Sequence, residues 1–267
     1  MAITTMDQLV SGLTVGFRSP FYKAQAAAGG LASFWRYGGI PGIGAIPPTG
    51  VGEAPTEATL GALYFVNPTG GAFSYLASAE FAEASQAGTT YLYDRLVHTS
   101  GLSGTVTTSQ TVNSVAITRP DSLGAGTDLF IECFTSVGGT ASNATIIYTN
   151  QSGTSGRTAV VSVGNMSLGN LQLVSLASGD TGVRSVQSVT LSASTGVAGN
   201  LGIVIGRRIA ILPASNANGS GFVGATVQDA FALGLPQLYD HSCLWMIGGY
   251  GSGFVGPITG MLGIAQG

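Results

Sequence analysis

Two histidines, seven aspartates and five glutamates are the residues from which acid–base chemistry could be built in this 267-residue chain. Asp94, His98, Asp240 and His241 are the residues available as a base and its orienter. A hydrolase also needs an activated nucleophile, yet no GxSxG elbow is present, and "SGTSG" around Ser155 has the wrong spacing. Metal chemistry would need clustered ligands, but there is no HxxxH, no dense Asp/Asn loop and no close cysteine pair. Cys133 and Cys243 are far apart in sequence and read as two buried, unpaired thiols. The carboxylates are scattered, so no glycosidase pair can be nominated. "GSGFVG" at Gly219 fits a dinucleotide loop, but too little chain follows to build the βαβ unit that such a loop requires. The expectation is a protein with no catalytic centre, no cofactor and no metal.

Two other stretches carry polar or aromatic side chains in unusual settings. "SGDTGVRSVQSVTLSASTG", residues 178–196, delivers Arg184 from a tight turn onto a polar strand. Asp180 is placed to accept from backbone N–H groups of that turn. Arg184 suits carbonyls or a carboxylate across a sheet edge or a subunit seam. The second stretch is "GGLASFWRYGGIPGIGAIPPTGVGEAP", residues 29–55. Its glycines and prolines exclude a regular helix or a central strand. Phe34, Trp35 and Tyr37 within it read as aromatic anchors for pockets of a partner, with Arg36 reaching that partner's carbonyls or carboxylates.

The elements that must position these residues follow from periodicity. Met6, Leu9, Val10 and Leu13 recur at helical spacing after Thr4 and Thr5, which predicts an N-terminal helix. "SYLASAEFAEASQ" predicts a second helix from a Ser74 cap, and Thr226 to Leu233 a third, ended by Gly234. Between them, "YLYDRLVH", "TVTTSQTVNSVAI", "DLFIECF", "ATIIYT", "RTAVVSV", "LQLVSL", "VRSVQSVTLSA" and "LGIVIGRRIAIL" are β-branched runs separated by Gly, Ser and Asn clusters. In the last run Leu201, Ile203, Ile205, Ile209 and Ile211 are expected to share one face. The predicted fold is all-β: an antiparallel, jelly-roll-like β-sandwich with two or three short helices. Residues 1–60 are expected to form a helix and an extended docking arm, and 61–267 the β domain.

Charge is the scarcest resource. Asp, Glu, Lys and Arg make up 8% of the chain, against about 25% in an average soluble domain. Lys23 is the sole lysine. So little charge predicts a surface largely covered by partner protein, in a homo-oligomer whose expected form is a trimer. A net charge of −3 offers no basic patch for nucleic acid. The first 13 residues show neither the basic start nor the long apolar core of a secretory leader. Ser242 to Gly267 carries no charge, but its glycines and Pro257 argue for strand and loop rather than a membrane span.

Several phrases are distinctive as strings: "ASFWRYGGIPGIGAIP", "TYLYDRLVHTSGL", "TVNSVA", "YTNQSGTSGRTA" and the 178–196 stretch. In them the chain resembles a family of structural proteins of tailed bacteriophages, from about residue 31 to residue 240 and most strongly over 91–196. The resemblance implies a virion component with no catalytic residues to carry over. The role expected within a virion is a head decoration (cement) protein bound to the major capsid protein. A tail or baseplate subunit is the nearest alternative. A carbohydrate- or receptor-binding module would instead need exposed aromatics, for which Trp35, Tyr37, Trp245 and Tyr250 are the candidates.

Overall fold

The computed structural model describes residues 2–24, 30–83, 88–113, 115–214, 223–250 and 257–267. Three antiparallel layers dominate it. The first is an open sheet in the spatial order β13 (Val223–Gln228), β4 (Ser74–Glu83), β16 (Ile258–Gln266), β1 (Phe17–Lys23), β3 (Gly39–Ile40). The short β14 (Gln237–Leu238) pairs with one end of β4. The second is a closed barrel of β10 (Asn170–Leu173), β2 (Gly30–Ser33), β15 (Leu244–Tyr250), β5 (Gly88–His98), β12 (Asn200–Ala214) and β7 (Thr127–Thr135). The third is a four-stranded sheet ordered β6 (Gln110–Thr111), β11 (Val183–Leu191), β8 (Asn143–Asn150), β9 (Arg157–Ser162). The fold is all-β and sandwich-like, as the patterning predicts, and all eight predicted runs contain strand.

The barrel is the middle layer. Its interior is filled by Trp35, Tyr93, Phe130, Phe134, Val204 and Trp245. One outer wall, through Leu129, Ile131, Leu201, Ile203 and Ile205, packs on Ile146, Tyr148, Val186 and Val189 of the four-stranded sheet. The opposite wall, through Leu92, Ile209, Leu212 and Met246, packs on Phe21, Phe81, Leu262 and Ile264 of the open sheet. β12 serves both interfaces because register shifts at Ile205/Gly206 and Arg208/Ala210 turn its side chains between them. The single apolar row expected along this strand is therefore broken: Ile209 is buried, Ile211 is exposed and Leu212 takes the inner position.

The N-terminal helix α1 (Met6–Val15) starts as predicted, with a Thr5/Gln8 capping box. The predicted second helix is a strand. Ala, Glu and Leu give "SYLASAEFAE" good helix propensity, but β4 lies between β13 and β16, and pairing on both sides overrides it. The third helix is shorter than predicted. Val223–Gln228 is strand, Asp229 is itself the N-cap, and α2 spans only Ala230–Leu233 before Gly234 ends it in the left-handed region. Ser242 to Gly267 contributes β15 and β16, and among the described residues no helix is long and apolar enough to cross a membrane.

The separate arm expected over residues 1–60 is also corrected. β1 pairs with β16 along its whole length, and β2 closes the barrel between β10 and β15. The Gly/Pro run after them makes no long strand, yet its backbone is bonded to the rest of the chain. Glu53 and His98 exchange both backbone hydrogen bonds, Gly44 N–H donates to Trp35, and Ser100 donates to Pro47 and Pro48. A Gly/Pro segment loses regular pairing, not pairing altogether.

Candidate functional site

The densest polar constellation lies on β5, where three charged or titratable side chains interrupt a buried strand. Asp94, Arg95 and His98 are all fully buried. Asp94 accepts from Arg119 Nε (3.2 Å) and Nη2 (3.0 Å), from Ser242 Oγ (3.0 Å) and from Cys243 N–H (2.9 Å). Arg119 Nη2 also donates to the carbonyls of Pro55 and Arg95. This carboxylate is saturated, so it is a fastener between β5, the Gly/Pro run and the start of β15.

Arg95 points the other way, into the barrel. Its guanidinium carbon sits 4.6 Å from the ring centroids of both Trp35 and Trp245. Its Nη2 donates to Glu132 Oε2 at 2.6 Å, and its Nε donates to His98 Nδ1 at 2.8 Å. Because an arginine Nε–H can only donate, His98 Nδ1 must accept. Its ring proton is then on Nε2, aimed at Glu53 Oε1. Burial first, and the Arg95 charge second, hold the His98 pKa well below its ordinary value. His98 is neutral, with both nitrogens occupied.

The second histidine is exposed. His241 has a left-handed backbone (φ 63°), and its Nδ1 lies 3.1 Å from Glu57 Oε1, which also accepts from Asn67 Nδ2. Asn67 Oδ1 accepts the His241 backbone N–H at 2.7 Å. This contact fastens the Gly/Pro-adjacent loop to the β14–β15 turn. Among the described residues neither histidine is hydrogen-bonded to a serine, threonine or cysteine hydroxyl or thiol, and no group of three His, Cys, Asp or Glu could hold a metal. Both cysteines are free and buried, as expected, and burial pushes the Cys133 thiol up to about 12.

The five residues proposed from sequence as partner contacts all have partners within the chain. Phe34 and Trp35 are 1% and 0% exposed. Trp35 fills the barrel end and donates from Nε1 to Ala45 O at 2.8 Å. Gly44 and Gly61 fold over its ring so closely that a Cβ on Gly44 would collide with it. Arg36 donates to Gly44 O, and Tyr37 Oη to Leu168 O at 2.8 Å. Arg184 binds Gln151 O through Nε and Nη2. As anchors in a partner's pocket, Phe34 and Trp35 have no surface to offer. For the same reason Trp35 and Trp245 are not glycan platforms; the Tyr250 side chain lies outside the described residues.

The 178–196 turn is a corner, held differently from the expectation. Asp180 accepts from side chains: Tyr148 Oη (2.5 Å), Asn150 Nδ2 (2.7 Å) and Arg157 Nε (2.9 Å). The hydrogen bonds from Arg157 and Tyr148 lower its pKa to about 2. Sequence reasoning missed Glu53, Arg95, Arg119 and Glu132. Arg95 and Glu132 did leave a signal, opposite charges set within the apolar runs "YLYDRLVH" and "DLFIECF"; Glu53 and Arg119, which lie outside any such run, left none. The two copies of "GSGFVG" lie, but for Val223 and Gly224, outside the described residues.

These features define a layered all-β protein whose buried polar groups fasten segments together. No family model matches the sequence, and no curated protein matches it. Among solved structures, that of infectious bursal disease virus Gt strain aligns over 94% of this chain and 81% of that one, at 13% identity and a TM-score of 0.20. The VP2 subviral particle of the same virus aligns over 94% and 80%, at 12% identity and a TM-score of 0.22. At such TM-scores the likeness carries no argument about function.

Proposed function

We propose that this chain is a non-enzymatic structural protein of a bacteriophage virion: a head decoration protein that binds the major capsid protein and self-associates on the shell. The carrying observation is where the charges go. Lys23, Glu83, Asp94, Arg95, Arg119 and Glu132 are buried, so of the 21 charged residues at most 15 serve a surface of 10719 Å². That is about one charge per 700 Å², far below what keeps an isolated domain soluble. Exposed large apolar side chains are numerous instead, among them Phe231, Val227, Leu60 and Tyr64. A surface of this kind is made to be covered by protein. The buried polar clusters supply rigidity; His98 is sealed within one of them, and exposed His241 is engaged by Glu57 and Asn67, which supports a role without catalysis. The phrase-level resemblance to phage structural proteins supplies the virion context.

The test is copy number in intact particles fractionated into heads and tails, counted against the major capsid protein. A decoration protein appears with heads, in a fixed and large ratio to that protein. A few copies per particle, recovered with tails, would replace this reading with a tail or baseplate subunit. Absence from both fractions would remove the virion assignment altogether.

A further inference from the structure

The open sheet has one face packed on the barrel and one face turned away from it. On the outer face, pairing places Pro20, Met261, Glu80 and Val227 side by side across β1, β16, β4 and β13, and Arg18, Gly263 and Ser78 in the next row. Helix α1 covers only the end of this face, where Leu9 packs on Ala77 and Ala265, with Ala230 of α2 beside them. The sequence pattern of α1 would bury Met6, Leu9, Val10 and Leu13 together, yet Leu9 alone of these is covered. Met6, Val10 and Leu13 are each at least half exposed. Tyr22, Val227 and Phe231 extend the uncovered surface, reaching 80% exposure at Phe231.

The extent of this surface bears on what covers it. At roughly 150–200 Å² per fully exposed side chain, these six leave on the order of 600 Å² of apolar surface open. That lies at the top of the range for a monomer's largest patch, about 300–600 Å², and near the ~800 Å² per partner of a stable interface. A groove of about 400 Å³ runs through it, lined by Leu13, Arg18, Glu80, Met261 and Gly263. Arg18 and Glu80 are exposed, lie on the two strands flanking β16, and form no ion pair with any described residue. They are two strand spacings apart across the sheet and two residues apart along it, about 12 Å between Cα atoms.

One basic and one acidic group on either side of an apolar centre make a self-complementary face. We infer that this face binds a second copy of the chain, related by a two-fold axis that lies in the contact plane and passes between Arg18 and Glu80. Each Arg18 then meets the Glu80 of the other copy, and the apolar surfaces of α1, β13 and α2 close against each other. An isologous contact of this kind uses one patch twice and closes at two subunits. It selects a dimer in place of the trimer expected from sequence. The inference does not depend on the virion role.

Sedimentation equilibrium on the full-length chain tests it, with circular dichroism melts confirming that each variant is folded. The expected species is a dimer of the 26.8 kDa chain. Leu13→Glu and Val227→Glu, both at exposed positions, should each weaken it by about tenfold or more. Arg18→Glu and Glu80→Arg should each weaken it, and the double swap should restore it, because the two charges then meet again with their signs exchanged. A monomer at high micromolar concentration overturns the inference, as does a trimer. A dimer indifferent to Leu13→Glu and Val227→Glu, or a double swap as weak as its singles, overturns it too and leaves the face to a foreign partner such as the capsid protein.

Discussion

Arg95 and Trp35 lie 4.6 Å apart, guanidinium carbon to ring centroid, in a barrel end from which water is excluded. One residue belongs to a regular strand, the other to a Gly/Pro run that has no ladder of its own. Their contact, with Trp245 against the same guanidinium, ties the Gly/Pro run to the core. A desolvated cation–π pair is worth about 2 kcal/mol, and the burial of the indole adds more.

Trp35→Ala should therefore act on folding before it acts on any assembly. Emptying a fully buried tryptophan site costs about 3–5 kcal/mol, visible as a lower melting temperature of the isolated chain. A chain beginning at Thr59 should lose its cooperative transition, because β1 and β2 leave the open sheet and the barrel. A sharp melt from that truncation would restore the separate-arm picture.

Breaking the Arg95–Glu132 pair from one side strands a buried charge. Glu132→Ala or Arg95→Met alone should cost about 3–5 kcal/mol, whereas Arg95→Met with Glu132→Leu should recover most of the loss. Urea denaturation of the three variants measures this. Equal losses in the double and single variants would show that the pair contributes through packing rather than charge.

His98 ties stability to pH. The unfolded chain takes up a proton near the ordinary histidine value of 6.5, and the folded chain refuses it. Stability from this residue is complete above that pH and falls as pH drops through it toward the lowered folded value. Melting temperature should decline below about pH 6.5, and His98→Gln should flatten that decline. Nitrogen-15 NMR should report a neutral ring protonated on Nε2; an imidazolium signal near pH 6 would contradict the geometry.

Asp180 sets a separate acid limit. With its folded pKa lowered to about 2, its contribution is present above the ordinary carboxylate value near 4 and is lost as pH falls toward 2. Asp180→Asn should lower the melting temperature at neutral pH and narrow its difference from the parent chain near pH 2. An unchanged difference across that range would show that the turn is held without the carboxylate's charge.

What the sequence determined by itself is what depends on neighbours along the chain. The Thr5 cap and the apolar spacing behind it place α1, Gly234 stops α2, and eight β-branched runs between turn clusters yield strands and the all-β class. The scarcity of charge is likewise a property of the sequence alone. Tertiary structure decided everything that depends on pairing across distance. "SYLASAEFAE" became a central strand because β13 and β16 flank it, against its own helical preference. The row along β12 was split by two register shifts that follow from serving two sheets. Arg95 and Glu132, 37 residues apart, became partners only when β5 and β7 both paired with β12 in one closed barrel. Trp35 reads as exposed bait in a Gly/Pro run, since nothing local covers it. It is buried because glycines with no side chain let the chain fold over its ring, a close approach that sequence spacing does not encode.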